Sequence, residues 1–307
     1  MATFRFPVLG AVATSTALTL ALSGCGEATD ADGAGAAPAA EASDAPRAAD
    51  LLAEAVAHPR RDAAERARDA WRHPEETLLF FEVEPDMTVV EVWPGGGWYT
   101  NVLAPYLKAG GGAYVAAGFD PDRSPRAAAA AARFAETFAA KPDVYGDIRI
   151  TTFAPPAEDD AVRPIAPSGS ADRVLTFRNV HNWIDGGFAD EAFVAFYDAL
   201  KPGGVLGVVE HRADALAGGD LPGGYVAEDM VKRLAEAAGF VFIAASEANA
   251  NPADTKDHPF GVWTLPPVRR SALAPGAEDP DFDRAKYDAI GESDRMTLKF
   301  RKPADDA

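Results

Sequence analysis

Several kinds of residue and pattern are scarce in this 307-residue chain, and each scarcity excludes something. There is one cysteine, Cys25, so neither an internal disulfide nor a cysteine-based metal site is possible. Basic residues are outnumbered, 29 Lys and Arg against 47 Asp and Glu, giving a formal net charge of −18. Such a balance argues against nucleic acid and against an anionic membrane surface as charge-driven partners. The apolar run Phe6 to Leu22 is shorter than the roughly 20 residues a helix needs to cross a bilayer. No internal repeat is visible. No helical His-x-x-x-His or comparable spacing marks a metal site, so no metal is expected.

What is present is organised around Thr88 to Thr100, TVVEVWPGGGWYT. Thr88, Val89, Val90 and Val92 predict a buried, parallel strand. Pro94 stops it, Gly95, Gly96 and Gly97 turn the chain, and Trp98 to Leu107 predicts a helix. Strand, glycine turn and helix N-terminus let backbone N–H groups approach a ligand closely. The same three glycines could also form a tight turn and nothing more. Glu91 places a carboxylate near the strand's carboxyl end, where open α/β sheets bind ligands.

The rest alternates as a doubly wound sheet should. Leu51, Leu52, Ala55 and Val56 form a helical stripe. A second helix is predicted from Arg61 to Trp71, with Arg61, Asp62, Glu65, Arg66, Arg68 and Asp69 as a solvated charged face. Further strands are predicted over Ala113–Phe119, Ile148–Phe153, Asp172–Val180, Val205–Glu210, Phe240–Ala244 and Arg295–Phe300. Between them lie helices over Pro125–Ala140, Phe188–Leu200 and Tyr225–Ala238. Asn251 to Pro280, rich in proline and charge, reads as an insertion over one rim.

The order E-x-x-P-G-G-G resembles the first motif of class I S-adenosylmethionine-dependent methyltransferases, acid-x-G-x-G-x-G. Glu91 matches the acid, Gly95 and Gly97 match the second and third glycines, and Trp93 stands where the first would be. Asp120 follows the second strand, where the family places an acid on the ribose hydroxyls. LKPGG at Leu200–Gly204 and FRKP at Phe300–Pro303 also resemble family turns, so the likeness covers Val83 to Pro303. More narrowly, PGGGWYT, FRNVHNW and GESDRM look like a group of exported bacterial predicted methyltransferases. The resemblance implies an α/β fold with a doubly wound, mostly parallel seven-stranded Rossmann-like sheet and N-terminal helices. It implies S-adenosyl-L-methionine as cofactor, with Glu91, Gly95, Gly96 and Gly97 around the methionine part and Asp120 at the ribose. A small-molecule acceptor is the expected partner. A nicotinamide-dependent oxidoreductase fits poorly, because the glycine spacing is not GxGxxG.

Two histidines fall just past predicted strand ends, His181 after the fourth and His211 after the fifth. His181 is the candidate base or substrate-orienting residue, since imidazole titrates near neutrality; it could equally brace the Trp183 loop. His211, beside Glu210, could share that role or only stabilise its strand end. Glu210, His211 and His181 have acceptable metal-ligand types without the spacing. Asp120 could cap the next helix instead of binding ribose. Trp98 and Tyr99 could face a ligand or the core. Asn249, Asn251, Asp254 and Lys256 could line a substrate mouth or meet solvent, and Gly291–Arg295 could be a turn or a buried polar lock. Asp172 is expected to be structural.

Arg5, the Phe6–Leu22 run and Leu22-Ser23-Gly24-Cys25 look like a lipoprotein signal ending in a lipobox, with Cys25 lipidated. The expected plan is a signal peptide over 1–24, a flexible Ala/Gly/Asp/Glu tether over 25–48 and a methyltransferase-like domain over 49–303. That would place the protein in the cell envelope facing the periplasm, with the outer membrane favoured by Gly26. Its only membrane contact would be the lipid. An exported enzyme would then need S-adenosylmethionine outside the cytoplasm. The alternative is a non-catalytic small-molecule-binding lipoprotein that keeps the fold, which Trp93 in the glycine loop favours.

Overall fold

The computed structural model describes residues 47–156, 163–214, 223–274 and 276–304. The signal-peptide, lipobox and tether readings, Cys25 included, lie outside them. Four helices precede the sheet: α1 (Ala48–Ala57), α2 (Ala63–Arg66), α3 (Asp69–Arg72) and α4 (Pro74–Phe80). The single helix expected from Arg61 to Trp71 is two short ones. Asp62 starts α2 with a capping box to Glu65, and His73, left-handed at φ 37°, closes α3 and leads into Pro74. The charged face is solvated only in part: Asp62 and Arg66 are exposed, Glu65, Arg68 and Asp69 half-buried. Arg61 is fully buried, its guanidinium paired with Asp69 at 2.5 and 2.9 Å and set 4.8 Å from the Trp98 ring. These charges find partners across the break between α2 and α3, which an uninterrupted helix would have kept apart.

The β-branched run forms β1 (Thr88–Val92), followed by α5 (Thr100–Gly110), β2 (Ala113–Gly118), α6 (Pro125–Phe134), α7 (Pro142–Tyr145), β3 (Arg149–Thr152) and β4 (Ala171–Phe177). Then come α8 (Val180–Asp185), α9 (Ala189–Ala199), β5 (Leu200–His211), α10 (Glu228–Ala237), β6 (Val241–Ser246), α11 (Arg284–Asp288) and β7 (Arg295–Arg301). The seven strands form one sheet in the order β3-β2-β1-β4-β5-β7-β6. The first five run parallel, and β7 is antiparallel to both neighbours. This is the expected doubly wound, mostly parallel, seven-stranded α/β fold. Strand order reverses between β1 and β4, and the carboxyl ends there define the crevice where such sheets bind ligands.

Alternation along β1 sorts the two cores. Val90 and Val92 pack on one sheet face with α9 and α10, whereas Val89 packs on the other with α1 and α5. β4 ends at Phe177, not Val180, because Val180 and His181 already open α8. β5 starts at Leu200, so the LKPGG segment lies within the strand. Asp172 is structural as expected: it accepts the Thr88 amide at 2.8 Å and the Lys201 ammonium at 2.7 Å. In the Asn251–Pro280 insertion, Val262 and Trp263 lie over the rim beside His181 and His211.

Candidate functional site

At the glycine turn, Gly95 and Gly96 border a cavity of about 610 Å³ also lined by Phe119, Phe134 and Phe138. Gly95 has φ +60°, and a Cβ on either residue would meet nothing within 4 Å. Among the described residues, no acceptor takes the amide hydrogen of Gly95 or Gly96. Gly97 serves packing instead. Its φ is +81°, and a Cβ there would lie 2.2 Å from the Phe138 ring.

Glu91 does not face this turn. It shares Val89's face of the sheet, which α5 covers, so its carboxylate is buried and accepts Tyr114 Oη at 2.5 Å and Thr100 Oγ1 at 3.1 Å. Burial raises its pKa to about 7 against the pull of those hydrogen bonds. It braces the first turn of α5 from beneath. Trp93, in the position of the missing glycine, has φ 48°. Its indole donates to Phe153 O at 2.8 Å and packs among Phe119, Phe153, Trp183 and Phe188. A second cavity of about 280 Å³ opens between Trp93, Phe119, Asp120, Phe153 and Phe188. Asp120 lines it and also caps the short turn that follows, accepting the Asp122 amide on Oδ1 at 3.0 Å. Its Oδ2 has no partner among the described residues. Trp98 and Tyr99 belong to the core: the Tyr99 ring stacks on Phe177 at 3.6 Å, and Trp98 lies between Arg61 and Arg72.

Along the same rim, parallel pairing of β4 with β5 brings the two histidines together, with ring centroids 5.4 Å apart. Glu210 organises them. Its Oε2 accepts the amides of Val180 at 2.5 Å and His181 at 3.3 Å, so it caps α8. Its Oε1 accepts the His211 amide at 2.7 Å and lies 3.0 Å from His181 Nδ1. With three backbone N–H groups already donating to it, this carboxyl serves as an acceptor, which assigns the Nδ1 proton to His181 and leaves its Nε2 as the lone-pair nitrogen. Burial alone would lower the His181 pKa, but the charge and hydrogen bond of Glu210 carry it above the ordinary histidine value. His211 is the opposite case. Its Nδ1 is 2.5 Å from Ser293 Oγ, and burial, with His181 and Arg178 nearby, pushes its pKa well below normal.

These two histidines line a third cavity of about 190 Å³ with Arg178, Trp263, Glu292 and Ser293. Sequence reasoning did not single out Arg178, Trp263 or Arg72, and it placed Arg68 on a solvated face. Glu292 accepts Arg68 Nε at 2.7 Å and Arg72 Nε at 3.0 Å, and pairs with Arg295 Nη1 at 3.2 Å. Against the cost of burial, Arg295 and Arg72 hold its pKa down to about 2. The Gly291–Arg295 segment is therefore the buried polar lock. Of the Asn249–Lys256 cluster, Asn249, Asn251 and Asp254 are buried and join it, Lys256 pairs with Asp294, and Pro252 is exposed. Asn249 donates to Thr77 Oγ1 and Thr297 Oγ1 at 2.9 Å, and Asp254 accepts Tyr225 Oη at 2.9 Å.

No protein-family model and no curated protein sequence matches the chain. Among solved structures, it is similar to an S-adenosylmethionine-dependent methyltransferase from Aquifex aeolicus, at 17% identity over 61% of this chain and 88% of that one, TM-score 0.45. It is also similar to the [4+2]-cyclase SpnF, at 16% identity over 85% and 97%, TM-score 0.49. Human N-acetylserotonin methyltransferase in complex with S-adenosylmethionine is 14% identical over 82% and 57%, TM-score 0.46.

Proposed function

We propose that the protein is an S-adenosylmethionine-dependent methyltransferase acting on a small-molecule acceptor. We further propose that lipidated Cys25 anchors it to the cell envelope, facing the periplasm and favouring the outer membrane. The observation that carries the activity is one rim bearing two kinds of site: the open turn of Gly95 and Gly96 with Asp120, and beside it the Glu210–His181 pair.

The residues present suit the cofactor. The free amides of Gly95 and Gly96 would take its carboxylate. Asp120 Oδ2 would take the ribose hydroxyls, and the aromatic cavity beside it would hold the base. Glu91 would support the loop without touching the ligand. When bound, S-adenosylmethionine supplies an electrophilic methyl carbon whose bond to sulfur breaks as the acceptor's bond forms, the electron pair staying on sulfur. His181 Nε2 accepts the proton that the acceptor loses, and Glu210 steadies the resulting imidazolium. Trp263 and Val262 cover the pocket and limit water there.

One observation favours the second reading, a binding lipoprotein without catalysis. The Trp93 indole fills part of the aromatic cavity where the motif would have a glycine. Calorimetric titration with S-adenosylmethionine and S-adenosylhomocysteine separates the two readings. Micromolar binding of both, weakened about 100-fold in Asp120→Ala by loss of a charge-assisted hydrogen-bond pair, is expected. Absence of heat up to millimolar ligand would sink the methyltransferase and leave the binding protein.

A further inference from the structure

The cavity at the ends of β4 and β5 holds more positive charge than its acids neutralise. Glu292 already engages Arg68, Arg72 and Arg295. Glu210 is occupied on both oxygens by four N–H groups. Arg178 lines the same cavity, and its guanidinium has neither a hydrogen bond nor an ion pair among the described residues. Burial presses its pKa down to about 10, with Glu292 opposing, so it stays charged at neutral pH.

The backbone at Arg178 makes the side chain harder to explain by folding. Its φ is +62°, and its amide is fixed to Val209 O at 2.7 Å as the last link between β4 and β5. Asparagine or glycine adopts that left-handed conformation with less strain than a long side chain does. Strain of this kind gathers where a side chain has a task.

We propose that this cavity is the acceptor site and selects a small organic anion, with its carboxylate or phosphate on Arg178 and its nucleophilic atom beside His181. The proposal rests on reading the rim as a methyltransferase site and adds the class of acceptor. The volume of about 190 Å³ equals roughly six water molecules' share of liquid. Val262, Trp263, Pro266 and Pro267 form apolar walls, so the body of the anion is small and apolar. A guanidinium freed of protein partners binds an oxyanion by charge-assisted hydrogen bonds, bidentate where geometry allows. Ligand atoms of His181, Glu210 and His211 also lie within 4.8 Å of one another, close enough for a cation. Against that occupant stand the four donors on Glu210 and the surrounding guanidiniums.

The test is calorimetric titration of the full chain, free of cofactor, with benzoate, inorganic phosphate, neutral benzamide and zinc chloride. Benzoate or phosphate is expected to bind below millimolar, the tighter one naming the oxyanion, and benzamide about tenfold more weakly or less. Arg178→Asn, which suits the left-handed backbone, should keep or raise the melting temperature and weaken the anion by about tenfold. The wild-type comparison of benzoate with benzamide needs no variant. Equal binding of benzamide, no heat from either anion, an unaltered Arg178→Asn, or micromolar zinc that benzoate cannot displace would each overturn the proposal. With no cofactor present, failure here is distinguishable from failure of S-adenosylmethionine to bind.

Discussion

Glu210 does three things with one carboxylate: it caps α8, fixes the backbone at His211 and sets the tautomer of His181. Because its charge is what lifts the His181 pKa, the sign of its removal is fixed. In Glu210→Gln the burial that lowers the pKa is opposed only by the lesser pull of Asp185, so the His181 titration seen by proton NMR should move to lower pH. A His181 held only as a brace, with no electrostatic dependence on Glu210, would show no such movement. The linkage follows the raised pKa: stabilisation from the pair is complete below the unfolded value near 6.5 and fades as pH rises through the folded value. At this scale the sequence was partly legible. His181 and His211 could be placed at neighbouring strand ends because parallel strands align their carboxyl ends. Arg178 could not, since nothing in FRNVH marks a left-handed residue or shows where its guanidinium goes.

The helices ahead of the sheet are held by the turn that leads into the last strand. α3 supplies Arg72, which with Arg68 meets Glu292 just before β7, while Tyr99 at the start of α5 donates to Arg72 O at 3.0 Å. Glu292→Gln leaves buried guanidiniums without a counter-charge, which costs about 3–5 kcal/mol in comparable pairs. Urea unfolding at pH 7 should show a loss of that order, with the helices before β1 loosening first by hydrogen exchange. The pH dependence gives a second check. A carboxyl lowered from 4.5 to about 2 contributes stability above pH 4.5 and loses it as pH falls toward 2, up to about 3 kcal/mol. Wild type and variant should therefore converge in acid; a constant gap down to pH 2 would mean the variant fails by packing alone. This lock explains the misread helix. Charges at Arg61 to Asp69 have the spacing of a wet face, and the acid that takes Arg68, one of them, and the buried Arg72 beyond lies more than 200 residues away. The strands were easier, because β-branched runs bounded by glycine and proline carry their own signal.

Across the whole chain, a net charge of −18 surrounds a rim pocket that is lined by Arg178 and backed by Arg68, Arg72 and Arg295 on Glu292. Composition reports only the first of these facts, which is why the cationic pocket was invisible to it. The alternation of strand and helix signals, by contrast, pointed to a doubly wound sheet, while the order of its strands became visible only in the fold. Charge also sharpens the test of the envelope anchor. An acidic chain is repelled by anionic lipid, so any firm association with a membrane must come from something other than surface electrostatics. The lipobox around Cys25 offers a covalent source, whose buried acyl chains add about 0.8 kcal/mol per methylene. In cell fractionation, the wild-type chain should stay with membranes through high-salt washing, and Cys25→Ser should appear in the soluble fraction. Protein that remains on membranes without Cys25 would point to an uncleaved apolar segment over Phe6–Leu22 as the anchor. Wild-type protein found soluble in the cytoplasm would overturn the envelope placement, and the chain would then lie where S-adenosylmethionine is made.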